Sequence, residues 1–164
     1  MFVQARYQTG AYRFFGTLGT IRKKPYAERM REPVGQKIGF VTILVNNYDE
    51  AIQFYKEKMG FALLADNSFG NGMRWVSMAP SAVNETAIVL VEADTDEKKE
   101  RTGSQAANHV FLVIHTDDCR RDYEAMKARG VHFYGEPRDV PWGVEVVFED
   151  LYGNRFDLVQ HNGF

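Results

Sequence analysis

Read as a pattern of apolar and polar positions, the chain repeats itself. Residues 39–61 (GFVTILVNNYDEAIQFYKEKMGF) give an apolar strand, a polar turn with an acidic residue, and an amphipathic helix closed by Gly and an aromatic. Residues 110–133 (VFLVIHTDDCRRDYEAMKARGVHF) give the same order. In the first copy the β-branched run 38–45 predicts a buried strand, and Asn46-Asn47-Tyr48-Asp49 supplies turn and N-cap chemistry. A helix is predicted over 50–59, with Ala51, Ile52, Tyr55 and Met59 at helical spacing, Phe54 widening the stripe and Gly60 as its stop. Strands follow at 61–65, 73–79 and 86–92, the first two joined by a Gly70-Asn71-Gly72 hairpin turn. The second copy predicts a strand over 108–115, a helix over 120–129 stopped by Gly130, and strands at 131–135, 144–149 and 155–160. Pro141-Trp142-Gly143 and Tyr152-Gly153-Asn154 are its turns.

A βαβββ unit of about fifty residues cannot bury both faces of its own sheet, so duplication with pairing is a physically sensible way to build a domain. The expected fold is α+β, two tandem βαβββ modules (38–92 and 108–161) forming a curved mixed sheet, with a polar, solvated linker over 93–107. The concave face of that sheet is where function is expected.

At 164 residues the chain reads as one domain able to bury roughly 68–70% of its unfolded surface. The single cysteine, Cys119, excludes an internal disulfide framework and, with no secretory apolar segment, favours a reducing cytoplasm. No apolar run approaches the ~20 residues of a membrane span. Residues 1–33 carry seven Lys/Arg against two Asp/Glu, a charge of +5 that leaves −7 for the body within a net −2. The body thus has no electrostatic reason to attract nucleic acid. This N-terminal stretch fits the repeat nowhere; it reads as a poorly ordered extension or an over-extended start before Met30, with a targeting segment or a partner-binding arm as the functional readings.

The motifs resemble those of the vicinal oxygen chelate superfamily, which holds glyoxalase I, extradiol dioxygenases, fosfomycin resistance transferases and bleomycin resistance proteins. The resemblance spans about residues 38–160 and is carried by residues 45–55 (VNNYDEAIQFY), Met59-Gly60-Phe61, Thr116-Asp117-Asp118, Arg129-Gly130-Val131, Pro141-Trp142-Gly143 and residues 150–158 (DLYGNRFDL). It implies four ligand positions, which fall on Phe40, Val89, Phe111 and Asp157. Only Asp157 offers a metal donor, whereas a catalytic divalent site takes several. The resemblance therefore implies the branch that binds organic molecules without metal, and a homodimer, because members commonly complete their cups across a subunit interface.

Phe40 and Phe111 make the centre of the expected site aromatic, which suits an organic ligand. Trp75 and Trp142 are candidate stacking walls. Asp157 is the expected polar anchor, and His109 and Arg74 are candidate partners for it. Arg74 and Glu145, read as equivalent strand positions, either hold the cup's positive and negative handles or face solvent. His109 is either a pocket-edge histidine or a ligand or acid/base group two residues from Phe111. His115, His132 and His161 form no ligand cluster, and Cys119 reads as structural.

The expected function is metal-independent binding of a small apolar or aromatic molecule, with no cofactor. Two other readings stay open: a metal-dependent lyase or dioxygenase of the glyoxalase type, and a non-catalytic interaction module whose cup is plugged by its own aromatics. Metal-free catalysis by Asp157 or Glu145 as general base is a further variant.

Overall fold

In the computed structural model, residues 35–163 are described; the expectations for residues 1–33 lie outside the described residues. The element order is β1 (Phe40–Val45), α1 (Tyr48–Gln53) continuing as a π-helical turn (Phe54–Met59), β2 (Ala62–Gly70), β3 (Met73–Ala79), β4 (Ala87–Glu92), α2 (Asp96–Arg101), β5 (Val110–His115), α3 (Cys119–Ala128), β6 (Arg138–Val140), β7 (Gly143–Glu149) and β8 (Arg155–His161). The two sheets have the same order, β1-β4-β3-β2 and β5-β8-β7-β6. In each, the first and last strands pair in parallel and the rest antiparallel.

Local chemistry explains the helix ends. The Asn47 side chain accepts hydrogen bonds from the Asp49 and Glu50 N–H groups (2.9 and 3.0 Å), satisfying two of the donors a helix start leaves open. Asp118 does the same for the Arg121 N–H at 3.0 Å. Gly60 ends the first helix in the left-handed region at φ 83°, a conformation that favours glycine. The hairpin turn likewise holds Asn71 at φ 51° and Gly72 at φ 77°.

Alternation along the strands sends Ile43, Val45, Val76, Met78, Ile88 and Leu90 to the helix-packed side of the first sheet, and Val146, Phe148, Phe156 and Leu158 to that of the second. These join Tyr55, Met59, Tyr123 and Met126 from the helices in one core shared by both modules. The opposite, helix-free faces carry both buried positions, such as Ser77, Val89 and Glu145, and exposed ones, such as Phe40, Trp75 and Val113.

The expected α+β pair of βαβββ modules is present, laid out as two four-stranded mixed sheets, and two local expectations change. At the edge of β1, the Gln105 side chain donates to the Thr42 carbonyl (2.8 Å) and accepts from the Leu44 N–H (2.6 Å), occupying backbone groups that a further strand would need. The linker contains α2, every residue of which is without burial in the core; Thr95 caps it, and Asp94–Lys98 and Glu97–Arg101 pair along it, so no apolar period announced it. The strand expected over 131–135 shrinks to one bridge, Phe133 to Phe148, and β6 proper starts after Pro137, whose missing N–H breaks the ladder.

Candidate functional site

The helix-free faces hold most of the candidate residues. The register aligns Thr42, Val89 and Ser77 across the first sheet, and Val113, Asp157 and Val147 across the second. Val89 thus corresponds to Asp157 and Ser77 to Val147, so two residues along, Trp75 corresponds to Glu145. The expected equivalence of Arg74 with Glu145 is one residue out, and in a strand one residue reverses the face.

On the first module's helix-free face, Phe40 and Trp75 meet edge to face with ring centroids 5.3 Å apart. Both remain open to solvent, at 54% and 39% exposure, and Met73 on the same strand parity is 63% exposed. Arg74 lies on the other side, where it clamps the hairpin to the start of α1. Its Nε and Nη2 each lie 2.8 Å from Asp66, Nη1 lies 2.9 Å from Asp49, and the guanidinium sits 5.3 Å from the Tyr48 ring centre. It is neither a handle of the helix-free face nor a partner of Asp157.

On the second module's helix-free face, Glu145 is almost wholly buried and fully matched. Its Oε1 accepts from Arg138 Nη2 at 2.7 Å and Nε at 3.2 Å, and its Oε2 accepts from Trp142 Nε1 at 2.9 Å. The Trp142 indole stays exposed with its N–H fixed in this way. Arg138 escaped sequence reasoning because its strand has only three residues; its alternation with Val140 ahead of the Pro141-Trp142-Gly143 turn was the available signal. Beside Arg138, Glu145 and Val147, with Tyr134 and Glu136, lies a cavity of about 190 Å³.

Asp157 stands differently. Its Oδ1 is buried and makes no hydrogen bond, since its strand neighbours Val113 and Val147 are apolar. Burial pushes its carboxyl up to about 6, with Glu145 raising it further and Arg138 opposing. The expected partner His109 does not reach it: that residue is exposed in the turn before β5, its backbone N–H bonded to the Ala106 carbonyl at 3.0 Å. Phe111 also departs from expectation. A register irregularity between Val110 and Leu112 leaves its ring half-buried, edge-on to the core residue Phe156 at 6.5 Å.

An acid raised in the folded state carries a stability cost when ionised. The folded protein holds the Asp157 proton to about pH 6, whereas the unfolded chain releases it near 3.8, so the cost is absent below the lower value and complete above the upper one. With solvent partly reaching the group, that cost is on the order of 1 kcal/mol. Asp157→Asn is therefore expected to melt about 3 °C above wild type at pH 8 and level with it near pH 4. Thermal melts at the two pH values check this; an equal difference at both would show that charge is not the cause.

Cys119 is buried, donates its thiol to the Leu158 carbonyl at 3.4 Å, and is pushed up to about 11 by burial and the nearby Asp157, which leaves it an unreactive thiol. Among the described residues, no group of three or more His, Cys, Asp or Glu side chains converges, and no helix is long and apolar enough to cross a membrane.

A model of the glyoxalase/bleomycin resistance protein/dioxygenase superfamily matches residues 37–158. A protein of Shewanella frigidimarina is 41% identical over 128 residues, covering 77% of this chain and 95% of its own. Among solved structures, TnmS3, an antibiotic binding protein from Streptomyces sp. CB03234, superposes with a TM-score of 0.66 at 31% identity, covering 80% of this chain and 100% of its own. A member of the same superfamily from Sphaerobacter thermophilus superposes with a TM-score of 0.66 at 28% identity, covering 77% of this chain and 98% of its own. The repeated βαβββ order, the paired sheets and these matches together place the chain: it belongs to the glyoxalase/bleomycin resistance protein/dioxygenase superfamily.

Proposed function

We propose that this protein binds a small apolar or aromatic molecule, without a metal, in a cup that two copies of the chain complete. The observation that carries the reading is the exposed Phe40–Trp75 pair on the helix-free face of the first module. Large aromatic surface left open beside Met73 is costly unless something covers it. The helix-packed faces already share one core within the chain, so the helix-free faces are the ones left for a second copy and a ligand. The similar protein TnmS3 is described as an antibiotic binding protein, and this supports an organic ligand of comparable kind.

The absence of metal is supported by the donor set: of the four positions implied by the family pattern, Phe40, Val89 and Phe111 offer no ligand atom, and Asp157 alone would hold a divalent ion weakly. A cytoplasmic setting is supported by the lone buried thiol of Cys119.

The test combines three measurements on the full chain. Light scattering after gel filtration is expected to give twice the chain mass, and elemental analysis after dialysis less than stoichiometric metal. Titration with the neutral planar probe acridine at pH 8 is expected to quench tryptophan fluorescence, with Trp75→Ala weakening binding roughly three- to tenfold. A monomer that binds no planar aromatic would sink the reading, and near-stoichiometric retained metal would turn it toward the metal-dependent enzymes.

A further inference from the structure

Resting on that binding reading, we infer that the ligand carries a protonated nitrogen beside its planar ring system, and that Asp157 is the residue that recognises this charge. A carboxylate oxygen removed from water and given no donor is a costly arrangement that folded proteins seldom keep. Here Asp157 Oδ1 is the one buried side-chain oxygen or nitrogen without a partner among the described residues.

The surroundings define what would satisfy it. Val113 and Val147, which flank it in the sheet, supply no donor. Two other charged groups bear on it, Glu145 and Arg138. Arg138 is paired with Glu145 through two hydrogen bonds, from Nε and Nη2, and Trp142 takes the second oxygen of the same carboxylate. Behind the strand, the Cys119 thiol is protonated and committed to the Leu158 carbonyl. Glu145 is thus neutralised in place, whereas the Asp157 charge is left unmatched. An anionic ligand would meet two carboxylates and one occupied guanidinium. A neutral acceptor could take a remaining Arg138 N–H but would leave Asp157 Oδ1 without a donor. A protonated amine or ring N–H⁺ supplies both the missing donor and the missing charge, and the exposed Trp142 indole, its N–H bonded to Glu145, offers an aromatic surface to a cation.

The experiment compares two fluorescent ring systems of the same shape at pH 8: 9-aminoacridine, which is a cation there, and acridine, which is neutral. Wild type is expected to bind the cation at least about tenfold more tightly, the weight of one hydrogen bond to a charged group. Asp157→Asn should abolish that ratio by weakening 9-aminoacridine roughly tenfold, with the circular dichroism spectrum intact. Asp157→Glu, which keeps the charge, should retain a preference for the cation. Equal binding of the two probes by wild type, or a preference that survives Asp157→Asn, overturns the assignment while leaving the cup in place. Failure of wild type to bind either probe removes the binding reading and this inference with it.

Discussion

Asp150→Ala is expected to lower the unfolding free energy by about 3–5 kcal/mol, the scale for removing one partner from a buried charged network. Asp150 sits at the turn between β7 and β8 and is 4% exposed. Its Oδ1 accepts from the Tyr152 and Asn154 N–H groups, both at 2.9 Å, and its Oδ2 accepts from Asn154 Nδ2 at 2.9 Å and the Tyr55 hydroxyl at 2.6 Å. The first three bonds shape the turn; the fourth reaches across 95 residues to the first module. Tyr55 is fully buried, and burial together with Asp150 raises its hydroxyl well above the ordinary tyrosine range, so it stays a donor at every working pH. Alanine would strand four donors, two of them backbone. Tyr55→Phe removes one bond and leaves Oδ2 its Asn154 partner, so a loss of about 1–1.5 kcal/mol is expected there. Urea unfolding of both variants and the double mutant separates the turn from the inter-module link. A loss below about 1 kcal/mol for Asp150→Ala would mean that water replaces the carboxylate and that the network is not what joins the modules.

The same residues show how far the sequence could be read. The segment 150–158 carried much of the resemblance, and the structure supplies its reason: the Asp carboxylate gathers the turn's N–H groups, and Gly153 takes φ 96° where a side chain would be strained. The repeat, the hairpin at Asn71-Gly72 and the face of Asp157 were legible because they rest on local period and turn chemistry. What failed rests on register and on long-range partners. Of the two readings open for Arg74, the inward one rested on an equivalence one residue out, which a period of two magnifies into a full reversal of face. Phe111 sits at an irregularity that alternation cannot foresee. The partner of Glu145 was hidden in a three-residue strand, and α2 in a run with no apolar face. The charge pattern of the site, with Glu145 matched and Asp157 not, appears only once those partners are placed.

Gly143→Ala tests the frame on which that pattern depends, and a loss of about 3 kcal/mol or more is expected. Gly143 begins β7 opposite His161, with φ at 152°, a value L side chains rarely adopt. A Cβ built there would lie 1.8 Å from the Gln160 carbonyl oxygen, 2.9 Å from its carbon and 3.0 Å from the His161 Cα. All three are backbone atoms of β8, so no side chain can rotate away and the strands must part. Backbone strain of about 1–3 kcal/mol adds to overpacking of similar size. The displacement falls where β8 also holds other elements: the Gln160 side chain accepts from the Cys119 N–H at the start of α3, and the Asn162 N–H donates to the Trp142 carbonyl. Trp142 and its bond to Glu145 should therefore move with the strand end, whereas Trp75, in the other module, should not. Chemical unfolding followed by tryptophan emission measures both, with Trp75→Phe used to isolate Trp142. A variant as stable as wild type, with unchanged Trp142 emission, would show that β7 and β8 can separate here without cost and that the Glu145 cluster is not held by this contact.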